Sequence, residues 1–193
     1  VEKRRCPKDK TGTCVQCKPY CHITTGFSGA GAFSDGKLSL SQEVGGALPE
    51  LIGKDFAQEL INDTDKIYLE FGADPHIEGL ENLDKIQEIA DRAKENDIIL
   101  ANCPIRHLGT EKSHVLYGEI EKYLDNHGIN MMFQTEVKDL IIENNEVKGV
   151  KVHKIRDKKE EEIYGNKVVL AVGRKGASWL SDICNKHNIE TKL

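Results

Sequence analysis

No apolar run in these 193 residues approaches the length of about 20 that a membrane-spanning helix needs. There is no excess of positive charge either. Lys and Arg number 27 against 32 Asp and Glu, a net charge of −5, so the basic face that a nucleic-acid backbone demands is missing. The first residues, Val1-Glu2-Lys3-Arg4-Arg5-Cys6, are not a basic head followed by an apolar stretch, so they do not read as a secretory leader. No internal repeat and no low-complexity segment occurs. These absences point away from nucleic-acid and membrane partners and toward a cytoplasmic protein. The chain also starts without Met, inside a charged segment, which reads as a truncated or processed start. What is present is ordinary globular material, 38% apolar and 31% charged, enough for one large domain or two small ones.

Cysteine is concentrated at one end. Cys6, Cys14, Cys17 and Cys21 follow the spacing C-x7-C-x2-C-x3-C, with His22 next door and Pro7, Gly12 and Pro19 supplying bends. Two thiolates separated by two residues can turn back onto one ion, and four sulfurs suit tetrahedral zinc or an iron–sulfur cluster. A redox pair, Cys14–Cys17, and unliganded thiols are the alternatives; stable disulfides are not expected in a reducing compartment. Cys103 reads as a small buried hydrophobe.

Gly26-Phe27-Ser28-Gly29-Ala30-Gly31-Ala32-Phe33-Ser34-Asp35-Gly36-Lys37-Leu38-Ser39 is the stretch that the rest is organised around. Backbone this free of side chains lets another molecule approach closely. A helix beginning near Ala32 or Phe33 would present its unpaired N–H groups to a phosphate or pyrophosphate. Close packing of two backbones is the competing reading of the same glycines.

Periodicity then organises the chain. Leu48, Leu51, Ile52, Phe56, Leu60 and Ile61 predict a helix over 49–62. Asp63 or Thr64 would cap a second, short helix carrying Ile67, Tyr68 and Phe71 and stopping at Gly72. Pro75 and Gly79 mark a loop, and Asn82 caps a helix lined by Leu83, Ile86, Ile89, Ala90 and Ala93. Residues 97–101 read as a strand ending near Pro104. Arg106-His107-Leu108-Gly109-Thr110 reads as a polar hinge, with Thr110 as cap, before a helix over 111–127 that turns Val115, Leu116, Ile120, Tyr123 and Leu124 inward. Arg106 and His107 could face an anionic or carbonyl-bearing ligand, or merely build the helix entry.

Met131 and Phe133 suggest a short strand, and Val137, Leu140 and Ile142 another. Asn144-Asn145 is a two-residue turn tolerant of positive φ, and Val147, Val150 and Val152 continue a meander. The charged run 157–162 reads as a solvated hairpin end, with Ile163 and Tyr164 beginning the return strand. Lys167-Val168-Val169-Leu170-Ala171-Val172-Gly173 has the composition of a strand buried on both faces, usually parallel, with Gly173 at its ligand-bearing edge. Ala177, Leu180, Ile183 and Cys184 form one face of a last helix, with Trp179 packed alongside.

This order of pieces resembles the two-dinucleotide-binding flavoprotein superfamily, the group of glutathione reductase and p-hydroxybenzoate hydroxylase. Gly29-Ala30-Gly31-Ala32-Phe33-Ser34-Asp35-Gly36-Lys37-Leu38 carries the resemblance. So do the helix and meander from Gly109 to Val172, entered through Thr135-Glu136-Val137. Leu170-Ala171-Val172-Gly173 is similar to that superfamily's Ala-Thr-Gly box, with Val in place of Thr. With the Cys-rich lead and Arg106-His107-Leu108-Gly109-Thr110 added, the chain is most similar to a bacterial group of FAD-dependent dehydrogenases.

The resemblance implies an FAD-dependent oxidoreductase and a mixed α/β fold. That fold would be a partial FAD-binding domain with a three-stranded antiparallel meander and a parallel core strand, plus an inserted helical part. It implies three regions: 1–46, the Cys-rich lead and FAD-facing loop; 47–106, a mostly helical insertion on the substrate side; and 107–193, the helix, meander and core strand. Gly29, Gly31, Ser34, Asp35, Gly36 and Lys37 would approach the FAD pyrophosphate and flavin, the backbone at Val137 the adenine end, and Gly173 the FAD. The strand, G-x-G-x-x-G and ribose-binding acid that open such proteins do not occur here. That reads as an internal fragment with weak or no FAD binding of its own and an inactive one, whose open sheet edges favour pairing of two copies. A metal-binding module held by Cys6, Cys14, Cys17 and Cys21 is the alternative function.

Overall fold

The computed structural model describes residues 6–18, 20–31 and 36–191. The chain forms two compact units, Val1–Ile129 and Asn130–Leu193, and each is built on its own small antiparallel sheet. The mixed α/β class and the meander both stand.

In the first unit, the short helix α1 (Lys8–Thr11) stops at Gly12, whose φ of 71° closes its last turn. Strand β1 (Lys37–Ser39) follows the Gly-rich stretch, and then come α2 (Leu48–Ile52), α3 (Lys54–Glu70), α4 (Leu83–Lys94), β2 (Ile105–His107) and α5 (Thr110–Asn126). The expected helices over 49–62 and 63–71 are divided elsewhere. The break falls at Gly53, where φ is 89° and ψ 148°, and the chain runs on as one helix through Asp63 and Thr64. The Thr64 hydroxyl donates back to the Leu60 carbonyl (2.8 Å) and Asp63 pairs with Lys66 (2.8 Å), so neither caps a helix. Asn82 does hold the N-cap position of α4, although its side chain makes no capping bond.

Residues 97–101 form no strand: Ile98, Ile99 and Leu100 are exposed, and no neighbouring strand among the described residues takes up their backbone groups. The strand lies a few residues later, where a hinge was expected. There β2 pairs antiparallel with β1 in the register Lys37↔His107, Leu38↔Arg106, Ser39↔Ile105. Glu78 exchanges both backbone hydrogen bonds with Ile105 (2.8 and 2.9 Å), adding a bridge on the β2 side. Helix α5 covers the expected span, with Gly109 rather than Thr110 at its N-cap. Leu116 is buried and Tyr117 and Ile120 pack on the core, but Val115 and Tyr123 are exposed. Ala73, Leu108 and Leu116 form that core, with Leu38, Tyr68, Phe71, Tyr117 and Ile120 against it. The unit therefore closes around the β1–β2 pair and the first half of α5.

The second unit is a meander in the order β3 (Thr135–Glu143), β4 (Glu146–Lys154), β5 (Lys159–Tyr164). Asn144 and Asn145 both take positive φ (50° and 63°), as a two-residue hairpin turn requires. Met131 and Phe133 precede the sheet without forming a strand. Register shifts at Val137/Asp139 and Ile141/Ile142 break the strict alternation of β3, so that Leu140 and Ile141, adjacent in sequence, are both buried. Gly149 stands opposite Ile141 and beside β5, where any Cβ would overlap the Ile163 carbonyl oxygen. The charged run is mostly strand rather than hairpin end: Lys151–Glu162 (3.5 Å), Lys154–Glu161 (2.7 Å) and Lys159–Glu161 (3.3 Å) pair across or along β5.

Residues 167–172 are not the expected parallel strand. They run without a strand partner among the described residues, and Val169 is 86% exposed. An apolar run supplies the side chains of a core strand, but only a neighbouring strand can satisfy its backbone. A single 3₁₀ turn, Arg174–Gly176, leads into α6 (Ala177–Lys186), which buries Ile183 and Cys184 but leaves Ala177 exposed. Three bonds join α6 and its C-cap His187 to β3. The Trp179 indole N–H donates to the Lys138 carbonyl (3.3 Å), His187 Nε2 meets Asp139 Oδ1 (2.8 Å), and Lys186 donates to Asp139 Oδ2.

Candidate functional site

The Gly-rich stretch is folded as a series of turns. Gly26 (φ 97°) accepts from the Gly29 N–H at 2.9 Å, and Ser28 (φ 66°) turns its hydroxyl onto the Phe27 carbonyl at 2.5 Å. Gly29 adopts φ 55° with nothing within 4 Å of where its Cβ would lie, so its backbone borders open space. Gly31 and Gly36 have neighbours, tight ones only at Gly36. A Cβ on Gly31 would sit 3.7 Å from the Tyr117 hydroxyl, and one on Gly36 would come within 2.8 Å of the Gly31 carbonyl and 3.2 Å of Leu108 Cβ. Gly36 also accepts from the Leu108 N–H at 2.7 Å, which ties the end of the stretch to the entry of α5. Only Gly36 is thus held by close packing; a Cβ on Gly31 would make ordinary van der Waals contacts, and one on Gly29 would meet nothing. Ser34 and Asp35, and the helix start expected near Ala32 or Phe33, lie outside the described residues; Lys37, just beyond them, begins a strand.

Register brings together two residues that were singled out separately. Lys37 is the direct partner of His107, so their side chains leave the β1–β2 ribbon on the same face. Leu38 and Arg106 share the other face, and Leu38 packs on the core.

Arg106 does not face a substrate. It is 2% exposed, and its guanidinium is taken up within the chain. Nε and Nη2 donate to the two carboxylate oxygens of Asp65 (2.5 and 2.7 Å), and Nη1 donates to the carbonyls of Asp74 (2.6 Å) and His76 (3.4 Å). The bond to Asp65 raises its pKa further, so the charge is permanent. This planar fork, satisfied on α3 and on the loop after it, pins β2 to the helical part. Alternation along β2 then sends His107 to the opposite face.

Two residues that periodicity did not single out as functional complete the surroundings. Tyr68 on α3 and Tyr117 on α5 meet edge to face, ring centroids 5.9 Å apart at 88°, with their hydroxyls 3.1 Å apart. Burial, with the bond to Tyr68, pushes the Tyr117 phenol well above its ordinary 10.0, so it stays neutral. Helical spacing puts Tyr68 on a core face, but nothing in the sequence pairs it with a residue 49 positions away.

In the second unit, Val137 is half-buried next to the first register shift of β3. That strand is at the edge of its sheet, so half of its backbone groups point away from β4, and Trp179 occupies the one at Lys138. Gly173 takes φ 61° with open space around its Cα.

The cysteine reading is corrected. Cys6 and Cys17 are half-exposed and Cys14 and Cys21 exposed, none in a disulfide. Among the described residues, which include all four, no group of three or more Cys, His, Asp or Glu side chains is placed to hold a metal ion. Spacing permits a four-sulfur site, but only a fold that converges the thiols makes one. Cys103 is half-buried rather than fully enclosed. No helix among the described residues is long and apolar enough to cross a membrane.

A family model described as the FAD binding domain matches residues 24–189, from just before the Gly-rich stretch to the end of α6. No curated protein matches the chain.

Proposed function

Since the chain belongs to the FAD binding domain family, we propose that it serves a flavin-dependent dehydrogenase, in which the flavin supplies hydride or electron transfer and the protein supplies position. The residues present fit that group. Gly29 offers backbone in the left-handed region with open space over its Cα, so a pyrophosphate can come close to the main chain there, while its own N–H stays bonded to the Gly26 carbonyl. Lys37 brings an ammonium group to the strand that leaves the same stretch, which offsets phosphate charge.

The Lys37–His107 pairing across β1 and β2 is the observation that carries this reading. It joins the cofactor-facing stretch to the one residue of the Arg106-His107 pair whose face is opposite the buried guanidinium. His107 is proposed to face the substrate and to hold or move a proton at a ring nitrogen. Gly36 keeps the stretch compact, and Ser34 and Asp35 are proposed to contact the cofactor. For the second unit, taken by itself, the outer edge of β3 at Val137 would offer N–H and C=O groups to an adenine edge. Gly173 would give the cofactor a backbone without a side chain in the way.

None of the 193 residues forms a G-x-G-x-x-G, so these residues by themselves are proposed to hold FAD weakly but saturably. Titration of FAD into the protein, followed by the flavin's visible band and its fluorescence, tests the reading. A saturable change is expected. A flavin spectrum that stays that of free FAD at every protein concentration would sink it.

A further inference from the structure

Tyr117 is placed to do more than fill the core. Its hydroxyl lies 3.7 Å from where a side chain on Gly31 would start, which places the phenol beside the bare backbone of the Gly-rich stretch. The ring is fixed by its edge-to-face contact with Tyr68 and by packing on Ala73, Leu108 and Leu116. Two hydroxyls carry two protons, and their mutual bond of 3.1 Å uses one. The second is left for an acceptor outside the pair. If Tyr68 donates to Tyr117, the remaining O–H belongs to Tyr117, beside Gly31.

We infer that Tyr117 is a neutral hydrogen-bond donor to an oxygen of the molecule that the Gly-rich stretch holds, with Tyr68 as the positioning residue that orients it. The inference rests on the FAD reading above, in which that oxygen belongs to the pyrophosphate or to a carbonyl of the flavin ring. A phenol suits either acceptor. It donates one directional bond and adds no charge, so it leaves the electrostatic attraction to Lys37.

The test compares the wild-type protein with Tyr117→Phe and Tyr68→Phe, both of which keep the rings. FAD, ADP and riboflavin are titrated into each, and the unfolding temperature of each unliganded protein is measured. Tyr117→Phe is expected to weaken FAD binding about tenfold, the loss of one hydrogen bond to a cofactor oxygen, with the unfolding temperature lowered only slightly by the lost bond to Tyr68. An equal loss for ADP assigns the bond to the pyrophosphate. A loss for riboflavin with a displaced visible band assigns it to the ring carbonyl. Tyr68→Phe is expected to weaken FAD binding about two- to threefold, because Tyr117 keeps its hydroxyl but loses the group that orients it.

Wild-type and Tyr117→Phe proteins that bind FAD with the same affinity and the same spectrum overturn the inference while leaving the FAD reading intact. A wild-type protein that does not bind FAD at all overturns the FAD reading and this inference with it. Should Tyr117→Phe unfold early, Tyr68→Phe decides: the weakening stated supports the inference, and unchanged affinity and spectrum overturn it.

Discussion

The two units place their charged groups in opposite ways. The first encloses a guanidinium. Arg106 is 2% exposed, and its guanidinium bonds to α3 and to the loop after it. The second keeps its charged cluster at the rim, where Asp139, His187 and Lys186 join β3 to α6 with side chains 18%, 19% and 59% exposed. An enclosed pair is rigid and costly to break from one side, because the partner left behind is a buried, unpaired charge. A rim cluster contributes less and answers to pH. The unit that carries the Gly-rich stretch is therefore braced by an enclosed pair. The meander is fastened to its helix by a rim cluster whose carboxylate titrates in acid.

Removing one half of the enclosed pair gives the largest effect. Asp65→Ala leaves the Arg106 charge buried without its carboxylate and is expected to destabilise the first unit by about 3–5 kcal/mol. Urea denaturation measures it, and an effect as small as that of a surface pair would erase the contrast between the units. Next is the sheet of the second unit. Gly149→Ala places a Cβ against the Ile163 carbonyl oxygen and is expected to cost about 1–3 kcal/mol as β4 and β5 move apart. Amide exchange should quicken across Lys159–Tyr164 and remain slow in α5.

The rim cluster gives the smallest effect and the one that pH reads out. Burial works against the Asp139 charge, but bonds from His187, Lys186 and the Leu140 N–H outweigh it and lower its pKa from 3.8 to about 2. A carboxylate whose pKa is depressed by folding stabilises the fold above its unfolded value. That contribution, about 2 kcal/mol at most, is lost as the pH falls through 3.8 toward about 2. Trp179, the single tryptophan of the chain, bonds to the neighbouring Lys138 carbonyl and reports on this joint. Its fluorescence should change over that acid range in the wild type. In Asp139→Asn the transition should flatten, and an unchanged acid profile in the variant would put the stabilisation elsewhere.

How legible each element was follows from how local its causes are. The meander was readable because each strand pairs with the next one in sequence, and Asn144-Asn145 names its own turn. Helix α5 was readable because a 3.6-residue period is contained within the segment. The break at Gly53 was missed because Asp63 and Thr64 are good caps in isolation, while a glycine's choice of positive φ leaves no mark in the sequence. Residues 97–101 and 167–173 were read as strands on composition. A strand also needs a neighbour, and composition does not say whether one comes. The cysteine spacing failed in the same way, since it permits convergence without causing it.

The candidate site divides along this line. Its glycines and Lys37 were visible as a motif, and the family match over residues 24–189 accords with it. Which glycine is tightly packed was decided by contacts that include Leu108, far along the chain.

By itself, then, the sequence determined the mixed α/β class, the meander, α5 and the Gly-rich stretch, because periodicity, turn residues and bare backbone act over a few neighbouring positions. Tertiary structure alone decided that Arg106 turns inward to Asp65, that His107 stands opposite Lys37, and that Tyr117 lies beside Gly31. Each of these depends on segments tens of residues apart meeting in one register, and a register is set by the whole core.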